Sequence, residues 1–123
     1  MAHDWFAREG RSCWATCPIT ENGLVRIIAN PKYPNALSTA ADAMTLLAQL
    51  ASLPGHFFWP DDISLRDADR FSAAQMLTAR QVTDRYLLAL AVSKGGRLAT
   101  LDRRLSAVAV NEGARRLHLI GGR

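Results

Sequence analysis

The feature that most constrains the fold is an apolar helix followed closely by a short strand. Thr83 is predicted to cap a helix that begins at Asp84, and the pair Gly95-Gly96 is predicted to end it. The strand 97–101 comes next and brings Asp102 to its carboxyl end. The body of the helix is almost wholly apolar, with Leu87, Leu88, Leu90, Ala91 and Val92. Such a helix belongs inside a core, and its junction with a strand indicates an α/β fold.

Short strands and helices alternate along the rest of the chain as well. Residues 2–9 predict the end of a helix that Gly10 closes, and Thr20 is predicted to cap the next helix. Further predicted helices cover about 38–53 and 64–71 with a short one near Leu105, and predicted strands cover 12–17, 56–59 and 116–120. This alternation favours a mainly parallel central sheet, and 123 residues are the length of one domain, 1–123.

The composition favours a polyanionic partner and a reducing compartment. The formal net charge is +4, which is attractive to nucleic acid. Cys13 and Cys17 have no second pair of cysteines, so they indicate free thiols rather than a zinc site or a disulfide. No apolar run approaches the length of about 18 residues that a membrane span needs. We therefore expect a cytoplasmic protein that does not enter a membrane.

Three carboxylates lie where the predicted elements would bring them together. Glu21 and Asp84 begin helices, and Asp102 follows a strand. In a parallel α/β sheet, strand ends and the following helix starts share one edge. Converging carboxylates stay ionised together when a cation neutralises them, and oxygen ligands favour Mg²⁺ or Mn²⁺. A second interpretation stays open, because acids at helix N-termini contribute about 0.3–1 kcal/mol without any metal and Asp102 fits an ordinary turn.

Two acidic stretches also match known motifs in order and spacing. The first, from Pro18 to Pro34, reads PITENGLVRIIANPKYP and contains Glu21. The second combines TDRYLLALA at 83–91 with LATLD at 98–102. Glu21 and Asp84 are 63 residues apart, and Asp84 and Asp102 are 18 apart. Over nearly the whole chain, this pattern resembles the VapC-type toxins of the PIN-domain family.

The resemblance implies a fold, an activity and partners. The fold would be a PIN-like three-layer sandwich with a mainly parallel central sheet. The activity would be that of a metal-dependent endoribonuclease toxin of a type II toxin–antitoxin system, with Mg²⁺ or Mn²⁺ as the cofactor. The partners would be an RNA substrate, a cognate antitoxin and a second copy of the chain in a homodimer.

The resemblance also gives individual side chains an expected role. The catalytic and metal-binding acids would be Glu21, Asp84 and Asp102. Hydroxyl groups that support the metal ligands would come from Thr83 and Thr100. Contacts with RNA phosphates would come from Arg85, Arg103 and Arg104, although solvated surface arginines explain these positions equally well.

One part of the family pattern is missing. Family members open with a strand that carries a Leu-Asp-Ala-Asn type motif, and nothing before Glu21 matches it. The earlier acids Asp4 and Glu9 belong to the helix predicted for residues 2–9. We therefore expect that the first strand and one acid, from roughly 25 upstream residues, are absent from this chain. The alternative hypothesis is an inactive truncated remnant that only binds an antitoxin or another protein partner.

An apolar stripe and three histidines are the remaining features of the sequence. An apolar stripe in the helix 38–53 fits the core, a dimer interface or an antitoxin-docking surface. Its residues are Leu46, Leu47, Leu50 and Leu53. His3, His56 and His118 show no mutual spacing suited to metal binding or acid–base work, so the sequence predicts no role for them.

Overall fold

The structure is a computed structural model that describes residues 6–10, 13–30, 32, 39–76, 78–100 and 105–120. These residues divide into two compact units. The N-terminal unit lies within Asp4–Asp61, and the C-terminal unit lies within Asp62–Arg123. Each unit contains a pair of parallel strands together with helices. The predicted α/β class with parallel strands is therefore confirmed.

The N-terminal unit contains two short strands, which pair with each other, and two α-helices. A π-helical turn, Phe6–Gly10, precedes strand β1, Trp14–Thr16. Helix α1 covers Pro18–Ala29, helix α2 covers Ala40–Ala51, and strand β2 covers His56–Phe58. The strands run parallel, with Trp14 opposite His56 and Thr16 opposite Phe58. Hydrogen bonds from Trp14 N to the Gly55 carbonyl (2.9 Å) and from Trp59 N to the Thr16 carbonyl (2.8 Å) extend the pairing beyond the strands.

Helix α1 begins earlier than the sequence predicted. Thr20 was expected to be its N-cap, but the N-cap is Cys17 and the helix starts at Pro18. Proline suits the first helical position because its missing N–H would have no partner there. Thr20 lies inside the first turn, where its Oγ1 accepts from Cys17 N at 2.9 Å and donates to the Cys17 carbonyl at 3.0 Å. The predicted threonine therefore stabilises the helix start from a different position.

Helix α2 follows its prediction closely. Thr39 caps it, since its Oγ1 accepts from Asp42 N at 3.0 Å. The N-terminal unit has a small interior, with Cys17 and Ala43 as the buried apolar residues among those that the structure describes there. The leucines of the apolar stripe at positions 46, 47 and 50 are half-buried, and Leu53 is exposed.

The C-terminal unit is organised around one buried helix. Helix α3 covers Val82–Ser93, strand β3 covers Leu98–Thr100, and strand β4 covers Leu117–Leu119. The strands are parallel, and Ile120 N donates to the Thr100 carbonyl at 2.7 Å just beyond them. Short 3-10 turns occupy Ala73–Gln75, Ala79–Gln81 and Gly113–Arg116.

Helix α3 confirms the prediction of a core helix. Its buried residues are Arg85, Tyr86, Leu88, Ala89, Leu90 and Ala91. Gly113 packs directly on it: a Cβ there would lie 3.0 Å from Leu88 Cδ2 and 3.1 Å from Val110 Cβ. The predicted cap at Thr83 is wrong, because the preceding 3-10 turn runs into the helix and makes Gln81 its N-cap.

One predicted helix of this unit is wrong, and another falls partly outside the described residues. Residues 64–71 form turns instead, because the side chains of Ser64 and Asp67 accept from the backbone N–H of Arg66 and Asp69 and compete with helical bonding. The segment ends at Phe71, which forms an antiparallel bridge with Val110. The short helix near Leu105 is absent from residues 105–112, which form irregular chain, turns and that bridge.

Among the described residues, no helix combines the length and the apolar character that crossing a bilayer requires.

Candidate active site

Glu21, the first predicted acid, is held by a side-chain hydrogen bond in the N-terminal unit. It lies half-buried in the first turn of α1, where the helix dipole favours a negative charge. Its backbone N–H donates to the Cys17 carbonyl at 2.9 Å. Thr16, the last residue of β1, donates from Oγ1 to Glu21 Oε2 at 2.6 Å. The strand end therefore fixes one carboxylate oxygen of the helix start.

The same threonine hydroxyl contacts a histidine from the neighbouring strand. His56 Nε2 lies 2.8 Å from Thr16 Oγ1. The His56 ring packs edge-on against Trp14, with centroids 4.6 Å apart and an interplanar angle of 63°. These contacts join Glu21, Thr16 and His56 in one line of polar groups.

Asp84, the second predicted acid, lies in the C-terminal unit on the first turn of α3. It is half-buried, and no described residue forms a hydrogen bond or ion pair with its carboxylate. The side chain borders a pocket of about 300 Å³. Arg80, Gln81, Arg85 and Ser106 also line this pocket, so a carboxylate and two cationic side chains border one space.

Arg85 is buried rather than solvated. It is 3% exposed, its Nε donates to the Ser106 carbonyl at 3.1 Å, and its Nη1 donates to the Gln75 carbonyl at 3.0 Å. The expectation of a solvated surface arginine is therefore wrong here, because the side chain ties α3 to two neighbouring segments. These bonds use two of the five N–H donors of the guanidinium group.

The predicted hydroxyl groups occupy different environments. Thr83 is exposed in the first turn of α3, beside Asp84 in sequence. Thr100 is half-buried as the last residue of β3, and its carbonyl accepts from Ile120. Their support of metal ligands stays a prediction.

Three predicted site residues, Asp102, Arg103 and Arg104, lie outside the described residues. Glu21 belongs to the N-terminal unit and Asp84 to the C-terminal unit. The part of the chain that the structure describes contains no group of three or more His, Cys, Asp or Glu side chains that could hold a metal ion. The three-acid site thus stays a prediction.

Similarity to known proteins decides the family. Ribonuclease VapC44 of Mycobacterium tuberculosis is 40% identical over 118 residues, which are 96% of this chain and 82% of that protein. Ribonuclease VapC39 of the same organism is 43% identical over 105 residues, or 85% of this chain and 76% of the relative. Ribonuclease VapC38 is 43% identical over 99 residues, or 80% and 68%. The chain belongs to the VapC ribonuclease family.

The family assignment rests on these relatives, which confirm the resemblance seen in the acidic motifs. No family model matches the chain. No solved structure matches it either.

In this VapC-family chain, the donor chemistry of Glu21 and Asp84 fits a hard divalent cation. Both are carboxylates, the oxygen ligands that Mg²⁺ and Mn²⁺ prefer. Both are half-buried, so a bound cation would be less screened by water than at a fully exposed acid. The residues present are therefore compatible with the predicted metal.

Sequence reasoning missed the groups that surround the two acids. The sequence predicts no role for His56, because its partner Thr16 is 40 residues away and only the parallel pairing of β1 with β2 brings them together. The sequence also predicts no role for Arg80 and Gln81, which immediately precede α3 and line the pocket beside Asp84. The sequence signal that could have indicated them is their position immediately before the helix that carries Asp84 in its first turn.

Proposed function

We propose that this VapC-family protein is a metal-dependent endoribonuclease, the toxin of a type II toxin–antitoxin system, which hydrolyses RNA phosphodiester bonds. The observation that carries the proposal is the 40% identity to a named ribonuclease across 96% of the chain. Its partners would be RNA and a cognate antitoxin, and its location the cytoplasm. We further propose that residues 1–123 form one PIN-like domain and that two copies form a homodimer.

The proposed catalytic and metal-binding acids are Glu21, Asp84 and Asp102, with Mg²⁺ or Mn²⁺ as the ion. Support comes from the positions of Glu21 and Asp84, each half-buried in the first turn of a helix. A bound divalent ion would activate water and stabilise the phosphodiester oxygens. Thr83 and Thr100 are proposed to support the ligands.

The protein's own groups have separate tasks in this proposal. Thr16 orients Glu21 by donating to its Oε2. Arg80 is exposed and lines the same pocket as Asp84, so its positively charged guanidinium group is proposed to bind an RNA phosphate. Arg103 and Arg104 are proposed as further phosphate contacts. Arg85 is proposed chiefly to anchor α3, because it is buried and bonded to backbone carbonyls, and its remaining donors border the pocket beside Asp84.

The antitoxin and the second copy of the chain are proposed to contact apolar surface. In the N-terminal unit, Met44 on α2 is 61% exposed, and Phe57 and Phe58 on β2 are more than half exposed. Exposed Met and Phe side chains are residue types that protein interfaces use often, so these positions are available to a protein partner. This support is independent of the acids.

The test is cleavage of a structured RNA by the purified chain with Mg²⁺, with Mn²⁺ and with EDTA. We expect cleavage with the metals and none with EDTA. Asp84→Asn should lower kcat/KM by at least about 100-fold. The reason is that losing a metal ligand costs more than losing a residue that only orients a ligand, and the latter loss typically costs about 10- to 100-fold. Asp69→Asn is the matched control, since Asp69 is exposed in the same unit.

Two results would contradict the proposal. Cleavage that persists in EDTA would exclude the metal, and equal activity of Asp84→Asn and Asp69→Asn would exclude the acid. A folded wild-type chain that binds a protein partner but cleaves no RNA would favour the inactive-remnant hypothesis instead.

A further inference from the structure

His56 and Thr16 lie on one face of the β1–β2 pair. Side chains two residues apart along a strand point to the same face. Trp14 and Thr16 therefore share a face of β1, and His56 is the register partner of Trp14. This arrangement places the imidazole between Trp14, which contacts its ring, and Thr16, which contacts its Nε2.

The hydroxyl of Thr16 has only one proton to donate. It donates that proton to Glu21 Oε2 at 2.6 Å, the short distance expected for a hydroxyl bonded to a carboxylate. The contact of 2.8 Å with His56 Nε2 therefore requires the histidine to be the donor and the hydroxyl oxygen to be the acceptor. His56 must carry a proton on Nε2.

We propose that His56 is a positioning residue that orients Glu21 through Thr16 for metal binding. This inference rests on the proposed function, because it assigns a purpose to the orientation of Glu21. The Nε2–H group fixes the Thr16 hydroxyl, and the hydroxyl fixes Oε2 of the carboxylate. The other carboxylate oxygen, Oε1, accepts no hydrogen bond from the described residues and is available to a cation.

The expected effect is on metal affinity. Outer partners that orient a metal ligand typically change the affinity by about 10- to 100-fold when they are removed. Without His56 Nε2–H, the Thr16 hydroxyl can rotate to another acceptor and Glu21 gains rotamer freedom. Metal binding must then order the carboxylate again.

The decisive comparison uses two substitutions that remove opposite properties of His56. His56→Phe keeps a ring against Trp14 but has no N–H group. His56→Gln loses the ring but keeps an amide N–H near the position of Nε2. We expect Mn²⁺, titrated calorimetrically, to bind His56→Phe about 10- to 100-fold more weakly than the wild type, and to bind His56→Gln nearly as well as the wild type.

The reverse ranking would overturn the proposal, because it would mean that His56 acts by packing against Trp14. Equal binding by wild type and His56→Phe would overturn it too. Thr16→Ser and Thr16→Val provide a second pair, since only serine keeps the hydroxyl. We expect Thr16→Ser to retain Mn²⁺ affinity and Thr16→Val to lose it.

The tautomer provides a measurement that needs neither metal nor RNA. At about pH 8, where a free imidazole is neutral, long-range proton–nitrogen NMR spectra should show His56 protonated on Nε2. A proton on Nδ1 alone would contradict the positioning role and leave the proposed function standing. Conversely, a wild-type chain with the expected tautomer and the expected Mn²⁺ ranking, but without RNA cleavage, would contradict the proposed function alone.

Discussion

The helices α1 and α3 carry the two described acids at the same point, their first turn, but they are held in different ways. In α1 no residue is buried, whereas six of the twelve residues of α3 are buried. Leu88 and Leu90 are the largest fully buried side chains among the residues that the structure describes. Asp84 is thus positioned by a packed helix, and Glu21 by a side-chain hydrogen bond from the end of β1.

This difference predicts two kinds of sensitivity. Changes inside α3 should affect the stability of the protein, because packing in a core tolerates little loss of volume. Changes around Glu21 should affect metal binding more than stability, because few buried contacts depend on them.

The largest effect on stability is expected for Leu88→Ala, which removes a fully buried side chain from α3. It should lower the free energy of unfolding by about 2–5 kcal/mol. Ile27→Ala is the matched change in α1, where the side chain is 51% exposed, and it should cost less than about 1 kcal/mol. Urea denaturation measures both. If both variants lose a similar free energy of unfolding, α3 is not more tightly packed than α1 and this account of the two helices is wrong.

A smaller effect is expected for Arg85→Met, which keeps an apolar stem in α3 but removes two donors. The Ser106 and Gln75 carbonyls would lose their bonds to a charged group, at a cost of about 2–3 kcal/mol in total. Arg26→Met on α1 is the control, because Arg26 is exposed, and it should stay within about 0.5 kcal/mol of the wild type. If thermal unfolding shows equal Tm values for both variants, Arg85 has no anchoring role.

The smallest effect is expected at the C-terminal end of α3, where Lys94 Nζ contacts Asp62 Oδ2 at 2.8 Å and Oδ1 at 3.0 Å. The hydrogen bond from Lys94 lowers the pKa of Asp62 below its ordinary value of 3.8. A carboxyl group whose pKa is lower in the folded state stabilises the protein at pH values above its unfolded pKa. This stabilisation is lost as the pH falls through the folded pKa.

Asp62→Asn should therefore lower Tm slightly near neutral pH, with a difference that disappears in acid below the ordinary pKa of 3.8. The effect is small because water screens an exposed ion pair. Thermal unfolding of both proteins across this acidic range measures it. A difference that grows as the pH falls would contradict the assignment of the pair.

The sequence allowed the core helix and the two acids to be located, because both depend on local patterns. Leu88 and Leu90 lie in an apolar run that only a buried helix accommodates, and Glu21 and Asp84 lie near recognisable helix starts. The caps were misassigned, because Pro18 and the 3-10 turn before α3 begin the helices earlier than threonine preferences suggest. Local hydrogen bonds by Ser64 and Asp67 similarly opposed a predicted helix.

The surroundings of the acids could not be predicted from the sequence. The role of His56 depends on the register of β1 with β2, which joins residues 40 positions apart. The burial of Arg85 depends on carbonyls from two separate segments, at Gln75 and Ser106. Arg85 stands in an otherwise apolar helix, but its bonds to these backbone carbonyls can be recognised only once the positions of the two segments are known.

The most direct test of the proposed metal site is a calorimetric Mn²⁺ titration of the wild type, Glu21→Gln and Asp84→Asn. Glu112→Gln is the control, because Glu112 is an exposed glutamate paired with Arg115. We expect the wild type and the control to bind Mn²⁺ alike, and both other variants to bind at least about tenfold more weakly. Unchanged binding by either Glu21→Gln or Asp84→Asn would contradict its assignment as a ligand.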